Sequence, residues 1–153
     1  MQTSDMNISP AIAAAREFLA VVWDGPPPTD AVLAAALDRL VVTYHVTPDT
    51  APSDSDLEAP RQDGATLHKE LSARFPDYGF YPVADPAGSP GAEPPMVGDA
   101  IDDLADLTLD MREAVWLADH VSLDEAHWSF RLLFFHWGRH ARELSLYLHA
   151  RQW

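Results

Sequence analysis

The stretch SLDEAHWSFRLLFFHWGRHARELSLYLH, residues 122–149, decides the fold class. It holds no proline, and its apolar residues recur at helical spacing. An α-helix advances about 100° per residue. That step places Leu123, Ala126, Phe130, Leu133, Phe134, Trp137, Ala141, Leu144 and Leu148 on one stripe. Ser122 followed by Glu125 forms a capping box, in which hydroxyl and carboxylate each satisfy an orphan N–H of the first turn. The pattern predicts one helix from Ser122 to about His149. A second apolar stripe, Trp128, Leu132, Phe135 and Leu146, lies roughly opposite. A helix apolar on two faces is central or meets a second surface, so a homodimer or a partner groove is an expectation. Gly138 sits mid-helix, where it costs about 1 kcal/mol against Ala and points to close packing by a neighbour.

Working upstream, the same period predicts a helix from about Asp99 to His120. Ser9 followed by Pro10 is an N-cap with proline at the first helical position, and it opens a helix running to about Trp23. A further helix runs from Thr29 or Asp30 to about Tyr44. The segment Leu40–Val46 is β-branched, but it continues a helical pattern without a break, so helix is expected there too. A short helix spans about Ala65–Phe75. Twelve of the 13 prolines fall in breaks between these segments, from Pro26 to Pro94 and Pro95. Residues 47–63 and 82–98 read as Pro-rich loops, the first solvated and mobile. Tyr78, Phe80 and Tyr81 are expected to pin the second onto the core. No strand pair is predicted. The expectation is a single all-α domain over residues 1–153: a helical bundle of four long helices plus one short helix, with long Pro-rich loops.

Length and charge narrow the function. A chain of 153 residues is one domain on average. The formal charge is −14, from 24 acids against 10 bases. That argues against nucleic-acid and anionic-membrane binding, which need basic patches. There is no Cys, which excludes disulfides and thiol catalysis. No apolar run is long enough to cross a membrane, and Asp5 stands where a leader would be basic. The expected location is the cytoplasm, and an Arg-rich composition with a single Lys points to a bacterial source.

Two polar features carry possible chemistry. On the last helix a narrow strip holds Glu125, Ser129, His136, His140, Glu143 and Tyr147. His136 and His140 are four residues apart, so their rings can converge, and Glu143 lies one turn further. Two imidazoles and a carboxylate make a metal-ligand set. The preceding helix carries Asp99, Asp102, Asp103, Asp106, Asp110 and Glu113. Its Asp102-Asp103-Leu104-Ala105-Asp106 run is similar to the aspartate-rich motif of prenyl-diphosphate enzymes, and carboxylates at this spacing suit Mg²⁺ or Mn²⁺. The second acidic motif of those enzymes, and of small all-α nucleotide pyrophosphatases, is missing. A helical wheel puts the six acids opposite the core face of Ile101, Leu104, Ala105, Thr108, Met111 and Val115. A solvated acidic stripe, or Asp–His and Asp–Arg pairs across the two helices, is the expectation.

The segments Val97-Gly98-Asp99-Ala100-Ile101-Asp102-Asp103-Leu104-Ala105-Asp106 and Phe134-Phe135-His136-Trp137-Gly138-Arg139-His140, with Tyr81-Pro82 before and Leu148-His149 after, resemble a bacterial family known as domain of unknown function 5063. The resemblance covers mainly residues 80–150. It implies a small helical protein and brings no activity, cofactor or catalytic residue. It makes Asp102, Asp103, Asp106, His136, Trp137, Gly138 and His140 the positions of interest.

Two functions compete. The first is a non-catalytic binding module without cofactor, whose acidic surface meets a basic protein partner. The second is a divalent-metal-dependent hydrolase of phosphate esters or nucleotides. Its metal would sit on Asp102, Asp106, His136 and His140, with Asp103, Trp137 and Glu143 completing the candidate site. The discriminating feature is whether the acids turn inward to the histidines.

Overall fold

In the computed structural model, which describes residues 9–91 and 96–153, six helices and one two-stranded ribbon follow in order. They are α1 (Pro10–Trp23), α2 (Asp30–Val46), α3 (Gly64–Arg74), β1 (Phe80–Val83), β2 (Met96–Asp99), α4 (Ala100–His120), α5 (Leu123–Leu132) and α6 (Phe134–Arg151). The reading of Asp5 and of the breaks at Pro94 and Pro95 lies outside the described residues. Among the described residues no helix is long and apolar enough to cross a membrane.

The fold is an all-α bundle. The predicted starts carry the caps they need: Ser9 accepts from the Ile12 amide, Thr29 from Val32, Asp99 from Ile101 and Ser122 from Glu125. The β-branched segment 40–46 is helical, as its continuous pattern requires. α4 is the central element, packing on α1, α3, α5 and α6, while α2 packs on α1 and α6. Its buried residues Leu104, Leu107, Met111 and Ala114 meet Phe18, Leu37, Phe130, Trp137 and Leu144 in the core.

Three expectations are corrected. The helix predicted from Ser122 to His149 is two helices, broken at Leu133. The cause is Trp137: its fully buried indole N–H donates to the Phe130 carbonyl at 2.8 Å. In an unbroken helix that carbonyl would accept from the Phe134 amide. A side chain inserted into the ladder interrupts it. The second apolar stripe meets no neighbour over most of its length: Leu132, Phe135 and Leu146 are exposed, and Trp128 is half-buried.

The second correction is the ribbon. β1 and β2 pair antiparallel, with Tyr81 opposite Gly98 and Pro82 opposite Val97. A proline and a glycine hide so short a pair from any β-propensity reading. Tyr78 and Tyr81 do pack on the core, whereas Phe80 faces away from it.

The third correction concerns the acids. They do not form one solvated face: Asp103 is buried, and Asp110 turns toward α6. The wheel assumed a helix packed on one side. α4 is packed on several, and Asp103 and Asp110 lie at the edge of the acidic arc nearest α6.

Candidate functional site

The site is the seam between α4 and α6. Asp103, Asp106 and Asp110 recur on α4 at spacings of three and four, and His136 and His140 face them at a spacing of four. Both spacings keep side chains on one helix face. The two imidazole rings stand 4.8 Å apart, centre to centre, at 80° to each other.

Each imidazole is held by a carboxylate through the same nitrogen. His140 Nδ1–H donates to Asp103 Oδ1 at 2.6 Å, and His136 Nδ1–H donates to Asp110 Oδ2 at 2.7 Å. His140 Nε2 lies 3.1 Å from Asp106 Oδ2. The remaining Asp103 oxygen accepts the Tyr81 hydroxyl proton. The ribbon therefore braces the seam from outside the bundle. Tyr81 leans on Tyr147, ring centres 5.0 Å apart, and the Tyr147 hydroxyl accepts from the Gly79 amide at 3.0 Å.

The charges respond to this arrangement. Burial alone would lower the pKa of His140, but its bonds to Asp103 and Asp106 outweigh burial and push it up to about 10. Without a metal, His140 is thus an imidazolium clamped between two carboxylates. The same bond from His140 holds Asp106 below the usual carboxylate range. Burial raises Asp110 more than its bond from His136 lowers it. Burial, and then the bond to Asp103, push Tyr81 well above the usual phenol range.

The structure separates the predicted site residues. Asp103, Asp106, His136 and His140 come together, and Glu143 stands close to Asp103 and His140 while pairing with Arg139 at 2.8 Å. Asp102 does not join them. It is exposed and meets His68 of α3, with His68 Nε2 3.1 Å from Asp102 Oδ1 and 3.5 Å from Asp99 Oδ2. Trp137 is a core residue, not a lining one. Sequence reasoning left Asp110 and Tyr81 out of the site. Asp110 carried a signal, since it continues the Asp103–Asp106 face by one turn. Tyr81 stood out only as a pinning aromatic and in the family resemblance, because its reach to Asp103 depends on the ribbon.

Asp106, His136 and His140 can each offer one ligand atom, and these atoms lie within 4.8 Å of one another. Ligand atoms about 2.1 Å from a common ion stand roughly 3–4 Å apart, so small side-chain rotations close the set. Two imidazoles with one carboxylate suit Zn²⁺, Mn²⁺ or Fe²⁺ better than Mg²⁺. The site is reachable: the His136 and Asp106 side chains are 38% and 35% exposed.

No family model and no curated protein matches the chain. Among solved structures, it is similar to the crystal structure of protein BF1032 from Bacteroides fragilis. The two share 14% identity over 98% of this chain and 94% of that one, with a TM-score of 0.72. That likeness supports the helical fold and carries no activity.

Proposed function

We propose that the chain is a divalent-metal protein, with the ion held by His136, His140 and Asp106, and that the ion activates water for hydrolysis. One observation carries this reading: both histidines are fixed through Nδ1 by carboxylates, Asp103 and Asp110. Metal-ligating histidines nearly always donate their other ring N–H in this way, which sets tautomer and ring orientation. Three protein ligands leave coordination positions for water and substrate, the arrangement of hydrolytic metal sites. Asp103, Asp110 and Glu143 keep the surroundings acidic even beside a dication. Within the hydrolase reading this favours substrates of low negative charge over phosphate dianions.

The test is metal analysis of the untagged full chain, then calorimetric titration with Zn²⁺ and Mn²⁺. Stoichiometric binding that is lost in His136→Ala and Asp106→Ala, and kept in Asp102→Ala, supports the reading. An absence of binding by the wild-type chain overturns it and leaves the Asp–His bonds as structural pairs.

A second reading is the non-catalytic interaction module. It is supported by the charge of −14 and by the exposed Leu132, Phe135 and Leu146. Its partner would be a basic protein or a second copy of the chain. Association that weakens as salt rises identifies the first, and a concentration-dependent mass in light scattering identifies the second. Membership of domain-of-unknown-function family 5063 and a cytoplasmic, bacterial setting are likewise proposals, resting on the motifs and the composition.

A further inference from the structure

A groove of about 520 Å³ runs along α4 beyond the metal seam, between that helix and residues 59–62. Its volume falls in the usual range for small-molecule sites, roughly 300–1,000 Å³. The two share one residue, Asp110. Leu19, Leu109 and Trp116 form an apolar wall. The Trp116 ring is fixed in plane by stacking on His120, with centres 4.6 Å apart.

On the α4 side of this groove two opposite charges, Arg112 and Glu113, make no salt bridge among the described residues. Arg112 donates to Gln62 Oε1 at 2.5 Å, and its guanidinium lies 4.7 Å from the Trp23 ring centre. It meets no carboxylate in a salt bridge among the described residues. Glu113 makes neither a salt bridge nor a side-chain hydrogen bond among them. Both residues line the groove from α4, and consecutive helix residues diverge by about 100°, so the two side chains leave the helix in different directions. Burial lowers the pKa of Arg112 more than the nearby Glu70 raises it, and burial, then the nearby Asp110, raise that of Glu113. A guanidinium with free donors matches a carboxylate, and an unpaired carboxylate matches an ammonium. A ligand carrying both is neutral overall, so a chain of charge −14 does not repel it.

We infer that this groove binds a small zwitterion with a flat apolar body, of which an aromatic α-amino acid is the simplest member. Its carboxylate meets Arg112, its ammonium meets Glu113, and its ring lies against Trp116. This site shares only Asp110 with the metal seam, and its test, run on the metal-free chain, is independent of the metal reading.

The test uses the full chain after chelator treatment, with L-phenylalanine, phenylpropionate and phenethylamine as calorimetric probes. L-phenylalanine is expected to saturate one site and to bind at least about tenfold more tightly than either singly charged probe. Arg112→Gln weakens L-phenylalanine and phenylpropionate. Glu113→Gln weakens L-phenylalanine and phenethylamine. Equal binding of the three probes, or no saturable binding of L-phenylalanine, overturns the inference. If Arg112→Gln unfolds through loss of the Trp23 and Gln62 contacts, Glu113→Gln decides alone. Unchanged L-phenylalanine binding by that variant overturns the inference.

Discussion

The ring of Tyr81 occupies the space that a side chain on Gly98 would need. A Cβ built on Gly98 would stand 2.6 Å from Tyr81 Cζ and 2.7 Å from Val83 Cγ2. Only a glycine at this ribbon position lets Tyr81 lie flat enough to reach Asp103, and Asp103 in turn holds His140. Gly98→Ala should therefore act at a distance on His140. The ring cannot simply yield, because Tyr147 and the Asp103 bond hold it. We expect a loss of about 1–3 kcal/mol, the usual range for overpacking. Thermal unfolding reads that loss, and the Tyr81 signal in near-ultraviolet circular dichroism should change with it. An unperturbed variant would mean that the ribbon does not brace the site.

Asp103 and Asp102 are sequence neighbours with opposite roles, and Asn substitution separates them. Asp103 is buried and accepts from both His140 and Tyr81. Asp103→Asn leaves one of those donors facing an amide N–H₂ and removes one of the two counter-charges of His140. A buried polar group left unsatisfied costs about 1–3 kcal/mol, and more when charge is involved. Asp102 is exposed, and burial together with the nearby Asp99 raises its pKa, which marks its charge as mildly unwelcome. Asp102→Asn should change stability by under about 0.5 kcal/mol. Urea denaturation of the two variants checks the contrast. Equal losses would contradict the assigned geometry.

These two residues also show how far the sequence could be read. The helices were legible because their caps are local: Ser9, Thr29, Asp99 and Ser122 each bind an amide two or three residues away. The His136–His140 pair was legible because a spacing of four needs no tertiary knowledge. The break at Leu133 was not, since it depends on the Trp137 indole reaching the Phe130 carbonyl, and periodicity is blind to that bond. The split between Asp102 and Asp103 was not legible either. It turns on which side of α4 meets α6, and a wheel for one helix cannot supply its neighbours. Tyr81 entered the site through a ribbon built on Pro82 and Gly98, residues that read as loop.

Stability of the metal-free protein should have two pH limits. Bonds to two carboxylates lift His140 from 6.5 to about 10. Between those values the folded state binds more protons than the unfolded one, so stability falls as pH rises. The His140 contribution is whole below about 6.5 and is lost through about 10. Burial lowers the pKa of His127, which bonds Ser9 at 2.6 Å. There the unfolded state binds the extra proton, so this contribution is present above the ordinary histidine range and lost on acidification. Urea midpoints against pH test both limits. His140→Gln should flatten the alkaline side, and His127→Gln should flatten part of the acid side. The metal reading adds a corollary. A metal must displace the Nε2 proton of His140, so its affinity should rise about tenfold per pH unit below that pKa. A pH-independent affinity would remove His140 from the ligand set.

Gly138 offers the sharpest test of side-chain packing against helix propensity. It lies inside α6, where alanine is favoured over glycine by about 1 kcal/mol. Propensity alone therefore predicts that Gly138→Ala stabilises the chain. The structure predicts the reverse. A Cβ there would stand 2.6 Å from Cδ1 and Cε1 of Phe134, one turn earlier on the same helix. That ring cannot swing clear, because it stacks on Tyr44 with centres 3.5 Å apart and planes at 10°, and Arg142 lies 5.4 Å from its centre. An overpacking cost of about 1–3 kcal/mol outweighs the propensity gain, so a net loss is expected. In a Phe134→Ala background every clashing ring atom is gone, and Gly138→Ala should become neutral or stabilising. The difference between the two backgrounds is the coupling energy of the pair, and thermal unfolding of the four proteins measures it. Stabilisation by Gly138→Ala in the wild-type background would show that Phe134 yields freely. The stack on Tyr44 would then be no constraint on how α6 leaves the break at Leu133.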